Sequence, residues 1–482
     1  MDDLDVGTIG RKSAHGVLAL ISRQFLLNLI SLGTSLVIFT YLKQSEVGIY
    51  TAVVAMQRII SFFTDFGLGA ALVQKKEEIS REDIKTVFTL QSSVTLLFFI
   101  IVFLLIKPIS GFFNLDFSGQ VLLLVLVFSI FLSSFKIIPS ILLERTINFQ
   151  KLIIPQIIES LAFNLILVIL VLKGMGINSY SFAFLVSSVI GIPFYFYIKP
   201  WKIGIGINKK SLSHLKFGLQ FQAKSILGTI KDDFLTVILA KFLGFVELGY
   251  IGFAQRLSFF MFRYIVDSVT KVTFSTYSRV QSDLAFLKKA IEKSLFFVST
   301  AMFPTLTGLA ILSPYVISFF PGWHNKWEPA VISIIFFCLN GLISSLSGIL
   351  VNVLDGTGRV KTTLKMMVLW TTLTWVLTPI LIKIYGFNGV SIASFIVALT
   401  IVITIRLVKG IVDFNFFESI KKPLIAVFIM DIVVFFISKM IIKDILTLIF
   451  VMILGGAIYS IILLSIAGKE IRNDLQKIFL KI

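Results

Sequence analysis

Apolar runs of about 20 residues recur along almost the whole of this chain, and few folds accommodate them. Hydrophobic residues make up 57% of the 482 positions, and phenylalanine alone numbers 49. A run of this length crosses a bilayer as a helix, so the pattern predicts an all-α integral membrane protein with about 14 transmembrane helices. The expected segments are 17–42, 47–71, 86–106, 119–141, 152–172, 179–198, 215–241, 247–278, 294–312, 329–354, 362–384, 388–408, 423–441 and 445–467. Little chain is left over for a soluble domain. The N-terminus opens acidic (Asp2, Asp3, Asp5), and its first apolar stretch runs from Val17 to Leu42 without a small-residue cleavage site. It reads as a retained helix rather than a signal peptide.

The net charge of +18 follows from topology and calls for no nucleic acid. Of the 44 lysines and arginines, 28 fall in segments on the same side as the N-terminus and 8 on the opposite side. The positive-inside rule then places both termini in the cytoplasm, with an even number of helices. The longest outward segment, Ser313 to Glu328, contains Trp323 and Trp327, which read as an interfacial anchor. Catalytic chemistry finds no constellation. His15 and His214 fall on the inner side and His324 on the outer side, and Cys338 is the single cysteine, so no metal or disulfide pattern arises. Gly204 and Gly206 in WKIGIGINKK lack the following GK[ST] of a nucleotide loop. No cofactor is expected, and transport would draw on an ion gradient, a partner, or downstream use of the cargo.

The remaining eight cations lie inside the apolar segments: Arg23, Arg58, Lys136, Lys224, Lys231, Arg256, Arg263 and Lys271. A positive charge at the bilayer centre costs about 3 kcal/mol or more, so such residues face a bundle interior or a wet cavity. Helical spacing groups them. In the first segment Gln24, Asn28, Ser31 and Ser35 form a polar stripe with Arg23 at its edge. In the second, Arg58, Ser61 and Asp65 share a face; in the seventh, Ser225, Thr229, Asp232 and Thr236 align, with Gln220, Lys224 and Lys231 on a neighbouring face. In the eighth, Arg256, Arg263 and Asp267 align. These four segments hold seven cations against four acids (Asp65, Asp232, Asp233, Asp267). The excess predicts a cationic cavity that binds an anion through Arg23, Arg58, Lys224, Lys231, Arg256 and Arg263, lined by Gln24, Asn28, Ser61 and Thr229. Internal salt bridges are the competing reading: Arg58 with Asp65, Arg263 with Asp267, Lys231 with Asp232 or Asp233. Asp65 and Asp267 are candidates for H+ or Na+ coupling. Lys136 and Lys271 are expected to snorkel, and Asp431, alone in its segment, to sit at a helix end or lipid interface, with an ion site as the alternative.

The chain also repeats itself. YLKQSEVGIYTAVVAMQRIISFF (Tyr41–Phe63) is similar to KFLGFVELGYIGFAQRLSFF (Lys241–Phe260). Glu46 and Gly48 match Glu247 and Gly249 at an offset of 201, and Gln57 and Arg58 match Gln255 and Arg256 at 198. Six expected helices separate the copies, so both have the same orientation. Two six-helix lobes related by a pseudo-two-fold axis along the membrane normal follow, with a site between them. The expected division is 1–200, 201–410, and a final pair of helices with a cytoplasmic tail over 411–482.

Two runs resemble a known family. SFFTDFGLGAALVQKKEEIS (Ser61–Ser80) and ILLERTINFQKLIIPQIIES (Ile141–Ser160) are similar to segments of Wzx-type polysaccharide and O-antigen flippases, in the colanic-acid and teichuronic-acid exporter branch of the multidrug/oligosaccharidyl-lipid/polysaccharide exporter superfamily. The resemblance implies a bacterial inner-membrane flippase without enzymatic activity. It would carry undecaprenyl-pyrophosphate-linked oligosaccharides to the outer face by alternating access, alongside membrane lipids and a polysaccharide polymerase with its chain-length machinery. The final two helices would hold the lipid tail. The six cations named above come from the stripes, and neither matched run contains any of them. A lipid II flippase satisfies the same charge logic. A multidrug or cation antiporter would favour an acidic or aromatic cavity, and a membrane polymerase or ligase a long outer loop, which this chain lacks.

Overall fold

The computed structural model describes residues 26–64, 72, 78–146, 148–208 and 225–479. Every regular element among them is helical: α1 (Leu26–Tyr41), α2 (Gln44–Thr64), α3 (Arg81–Leu104), α4 (Ile106–Phe113), α5 (Phe117–Arg145), α6 (Phe149–Leu172), α7 (Asn178–Ile198), α8 (Ser225–Thr229), α9 (Leu235–Leu243), α10 (Phe245–Ser258), α11 (Phe260–Val280), α12 (Leu284–Phe319), α13 (Val331–Gly356), α14 (Val360–Tyr385), α15 (Asn388–Ala398), α16 (Ile401–Lys409), α17 (Phe416–Ile441) and α18 (Ile445–Phe479). A π-helical turn, Ile230–Phe234, joins α8 to α9. Among the described residues, eleven spans are long and apolar enough to cross a membrane, α15 and α16 together forming one of them. Of the fourteen expected segments, those at 17–42, 215–241 and 247–278 are outside that set. The first two extend beyond the described residues. The third is divided at Phe259 and carries Arg256, Arg263, Asp267 and Lys271, which lower its hydropathy.

Local chemistry sets where helices begin. Ser80 and Asp83 form a capping box at the start of α3, with Asp83 N donating to Ser80 Oγ (3.2 Å) and Ser80 N to Asp83 Oδ2 (2.9 Å). Asp116 caps α5 and Asp283 caps α12, each accepting from a backbone N–H three residues on (2.8 and 3.0 Å). Prolines stand inside α5, α6, α7, α12, α14 and α17. Soluble helices tolerate this poorly, but neighbouring membrane helices re-satisfy the freed carbonyls.

The chain forms two compact units, Met1–Gly249 and Tyr250–Ile482, with the boundary inside α10. In the first, α5 is the hub and packs against α2, α3, α6 and α7, while α9 and the π turn lie on α2. Glu46 ties two elements here: its Oε2 accepts from Lys43 N (2.7 Å) at the start of α2, and its Oε1 from Ile177 N (3.0 Å) just before α7. Gly176 adopts φ +56°, and a Cβ there would overlap the Glu46 carboxylate.

The two copies of the repeat touch each other inside this first unit. A Cβ on Gly48 would run into the carbonyl of Phe245, and a Cβ on Gly249 into the carbonyl of Gln44. Gln44 and Phe245 stand at the same offset of 201 as the two glycines. The helix starts therefore cross reciprocally, each glycine admitting the backbone of the other copy.

In the second unit α12 and α13 form the core. They pack on each other and on α11, with α17 and α18 against α12 and α15 and α16 against α13. Trp323 and Trp327 belong to this core. Both are fully buried: the Trp327 ring stacks on Phe253 (4.3 Å, 10°) and Trp323 meets Phe253 edge-on (5.0 Å). The expected interfacial anchor is corrected accordingly. The connector doubles back through Gly322 (φ 74°) and Asn325 (φ 61°), which turns both indoles inward. Asp431 also differs from expectation. It stands in the middle of α17 and accepts from Thr307 Oγ1 of α12 at 2.8 Å. Nearby on the same face of α12, the Thr300 carbonyl accepts from Tyr459 OH of α18 (2.9 Å), so polar contacts fasten both C-terminal helices to the core.

Candidate functional site

Two ion pairs of the first unit involve α2 and the π turn. Arg58 stands near the end of α2, and the π turn supplies Lys231, Asp232 and Asp233. A π turn widens the hydrogen-bond ring from i→i+4 to i→i+5 and is frequent at functional sites. Thr236 Oγ1 donates to the Asp232 carbonyl one turn back (2.7 Å). Arg58 Nη1 lies 3.5 Å from Asp233 Oδ1, and Lys231 Nζ lies 2.7 Å from Asp232 Oδ1.

The Arg58 pair is loose. Charge-assisted hydrogen bonds run at about 2.7–2.9 Å, and a guanidinium has five donors. Here a single nitrogen reaches one carboxylate oxygen from beyond that range, with 53% of the arginine side chain exposed. Among the described residues Arg58 makes no other polar contact. At this exposure the pair contributes about 1 kcal/mol or less to stability. Toward the described residues, most of the planar fork stays open to a bidentate oxyanion.

Other sequence-selected positions distribute as follows. Arg23, Gln24, Asp65 and Lys224, and with Asp65 the expected Arg58–Asp65 pairing, lie outside the described residues; among these, Asp233 is the acid found at Arg58. Asn28 on α1, Ser61 on α2 and Thr229 at the end of α8 are half-buried. Arg256 on α10 is half-buried and Asp267 on α11 exposed, both engaged in polar contacts, and Arg263 takes its place on the backbone of α11. The last three belong to the second unit.

Lys136 does not snorkel. It is 8% exposed and forms an ion pair with Glu159 of α6, against which Gly191 of α7 packs so closely that a Cβ would come within 2.7 Å of the carboxyl. Glu159 escaped the sequence reading because it is not on the four segments with polar stripes. An acid among the apolar residues of 152–172 was the available signal.

The polysaccharide biosynthesis protein family model matches residues 40–332. The lipopolysaccharide biosynthesis protein WzxC of Escherichia coli (strain K12) is 24% identical over 359 residues, which cover 70% of this chain and 69% of that protein. The amylovoran biosynthesis protein AmsL of Erwinia amylovora is 19% identical over 295 residues, covering 60% and 75%. Among solved structures, the lipid II flippase MurJ in an inward closed conformation shares the fold: TM-score 0.76 at 18% identity, covering 94% of this chain and 99% of that one. With the family model spanning more than half of its length, this chain is a member of the polysaccharide biosynthesis protein family.

Proposed function

We propose that this chain is a flippase that carries undecaprenyl-pyrophosphate-linked oligosaccharide repeat units from the cytoplasmic to the outer face of a bacterial inner membrane, for O-antigen, capsule or exopolysaccharide synthesis. The observation that carries the reading is Arg58: a half-exposed guanidinium on a membrane helix, with most of its donors unused, in a member of a polysaccharide biosynthesis family. An intramembrane cation of this kind is costly unless it serves a polar cargo. The pyrophosphate would engage Arg58 and Lys231, with Arg23 and Lys224 proposed beside them and Arg256 and Arg263 as the cations of the second repeat, while the lipid tail stays in the bilayer. The 28-to-8 distribution of basic residues supports both termini in the cytoplasm. Asp65 and Asp267 are proposed for ion coupling, and the two repeats for the alternating movement.

Headgroup translocation in proteoliposomes tests this. Arg58→Ala is expected to slow translocation of the pyrophosphate-linked oligosaccharide by about tenfold to a hundredfold, the worth of a charged hydrogen-bond pair. Its thermal unfolding should stay within about 1 kcal/mol of wild type, because the ion pair it removes is exposed. Lipid II in parallel vesicles separates the two substrate classes. Undiminished translocation by Arg58→Ala removes the cationic site from the mechanism.

A further inference from the structure

Arg58 and Lys231 each face one carboxylate, Asp233 and Asp232, consecutive residues of a single π turn. The two contacts differ in strength: Lys231–Asp232 is a short bond, whereas Arg58–Asp233 is a long, single-nitrogen contact on an arginine with no other partner among the described residues.

We propose that Asp233, with Asp232 beside it, is a built-in counter-anion that holds the Arg58 site in the absence of cargo and is exchanged for the diphosphate of the substrate. This rests on the anion-site reading above. The reason for such a device is a conflict in any carrier: bare cations in a membrane bind a diphosphate too well to let it go, and are costly when empty. An internal carboxylate relieves both. It neutralises the arginine between cycles, and its repulsion of the bound phosphate weakens binding and hastens release. The long Arg58–Asp233 contact suits exchange, because on the arginine side one long single-nitrogen contact gives way to a bidentate oxyanion.

The test is calorimetric titration of the full-length purified protein with inorganic pyrophosphate and, in parallel, with a short prenyl pyrophosphate, for wild type, Asp233→Asn, Arg58→Gln and the double variant. Removal of one unit charge a few ångströms from the phosphate should tighten binding by about tenfold in Asp233→Asn. Arg58→Gln should weaken it, and the double variant should bind no more tightly than Arg58→Gln. Turnover of Asp233→Asn in proteoliposomes should fall despite the tighter binding. Equal or weaker binding by Asp233→Asn, with Arg58→Gln still weakened, overturns the counter-anion and leaves the anion site standing. Binding indifferent to Arg58 in both probes overturns the anion site itself. Tightening seen with the prenyl probe alone assigns the exchange to the lipid-linked form, and tightening with both to the diphosphate as such. If Asp233→Asn does not fold, Asp232→Asn reports the same exchange at Lys231, and unchanged affinity there sinks the proposal.

Discussion

Leucine at position 48 is expected to destabilise the protein by about 3 kcal/mol, at the upper end for an overpacked contact. The obstruction is the Phe245 carbonyl, and backbone cannot rotate aside as a long side chain does. To admit a side chain, α2 and α10 must separate at their starts, which breaks the reciprocal contact at Gly249 as well. Gly249→Leu should therefore cost a similar amount. The double variant should cost less than the sum of the two, because a single separation accommodates both side chains. Thermal unfolding of the detergent-solubilised protein measures this. Gly456→Ala on α18 is the control: a Cβ there meets nothing within 4 Å, and alanine gains about 0.5–1 kcal/mol of helix propensity. If Gly48→Leu unfolds at the wild-type temperature, the two helix starts do not cross as described.

Lys136→Met should be similarly severe, and it should be reversible by a second change. Methionine removes the only basic group within ion-pair range of Glu159 among the described residues, and leaves a largely buried carboxylate between α5, α6 and α7. Breaking one partner of a buried pair costs about 3–5 kcal/mol, while replacing both with uncharged groups of similar size is close to neutral. Lys136→Met/Glu159→Gln should accordingly recover most of the lost stability. Membrane yield and thermal unfolding of the single and double variants decide it. Equal instability in both would mean that volume rather than charge matters at this site.

Much of the architecture was legible in composition and spacing. Apolar segment length determines that the chain is helical and membrane-spanning, since a bilayer leaves an isolated segment no other way to satisfy its backbone. Segment centres from the second to the fourteenth helix fall within the observed helices wherever these are described. The repeat was legible as well, because Glu46, Gly48, Glu247 and Gly249 recur at one offset, and both glycines proved to sit at the crossing. Arg58 and Lys231 could be singled out as polar exceptions on apolar faces.

Partners were a different matter. Which acid neutralises which cation depends on distance in space. Arg58 meets Asp233, 175 positions away on another element. Lys136 finds Glu159 on another helix, and two tryptophans that composition assigns to the bilayer surface are folded under a turn onto Phe253. The π turn is invisible to a 3.6-residue period because it is a local departure from that period. Thus the sequence by itself determined the solvent this protein folds in, the elements it builds and the charges it carries. The tertiary structure alone decided which charges are paired and which guanidinium stays open. Hydrophobic periodicity is a property of one helix at a time, whereas the electrostatics of a buried charge are decided by whatever other helix packs against it.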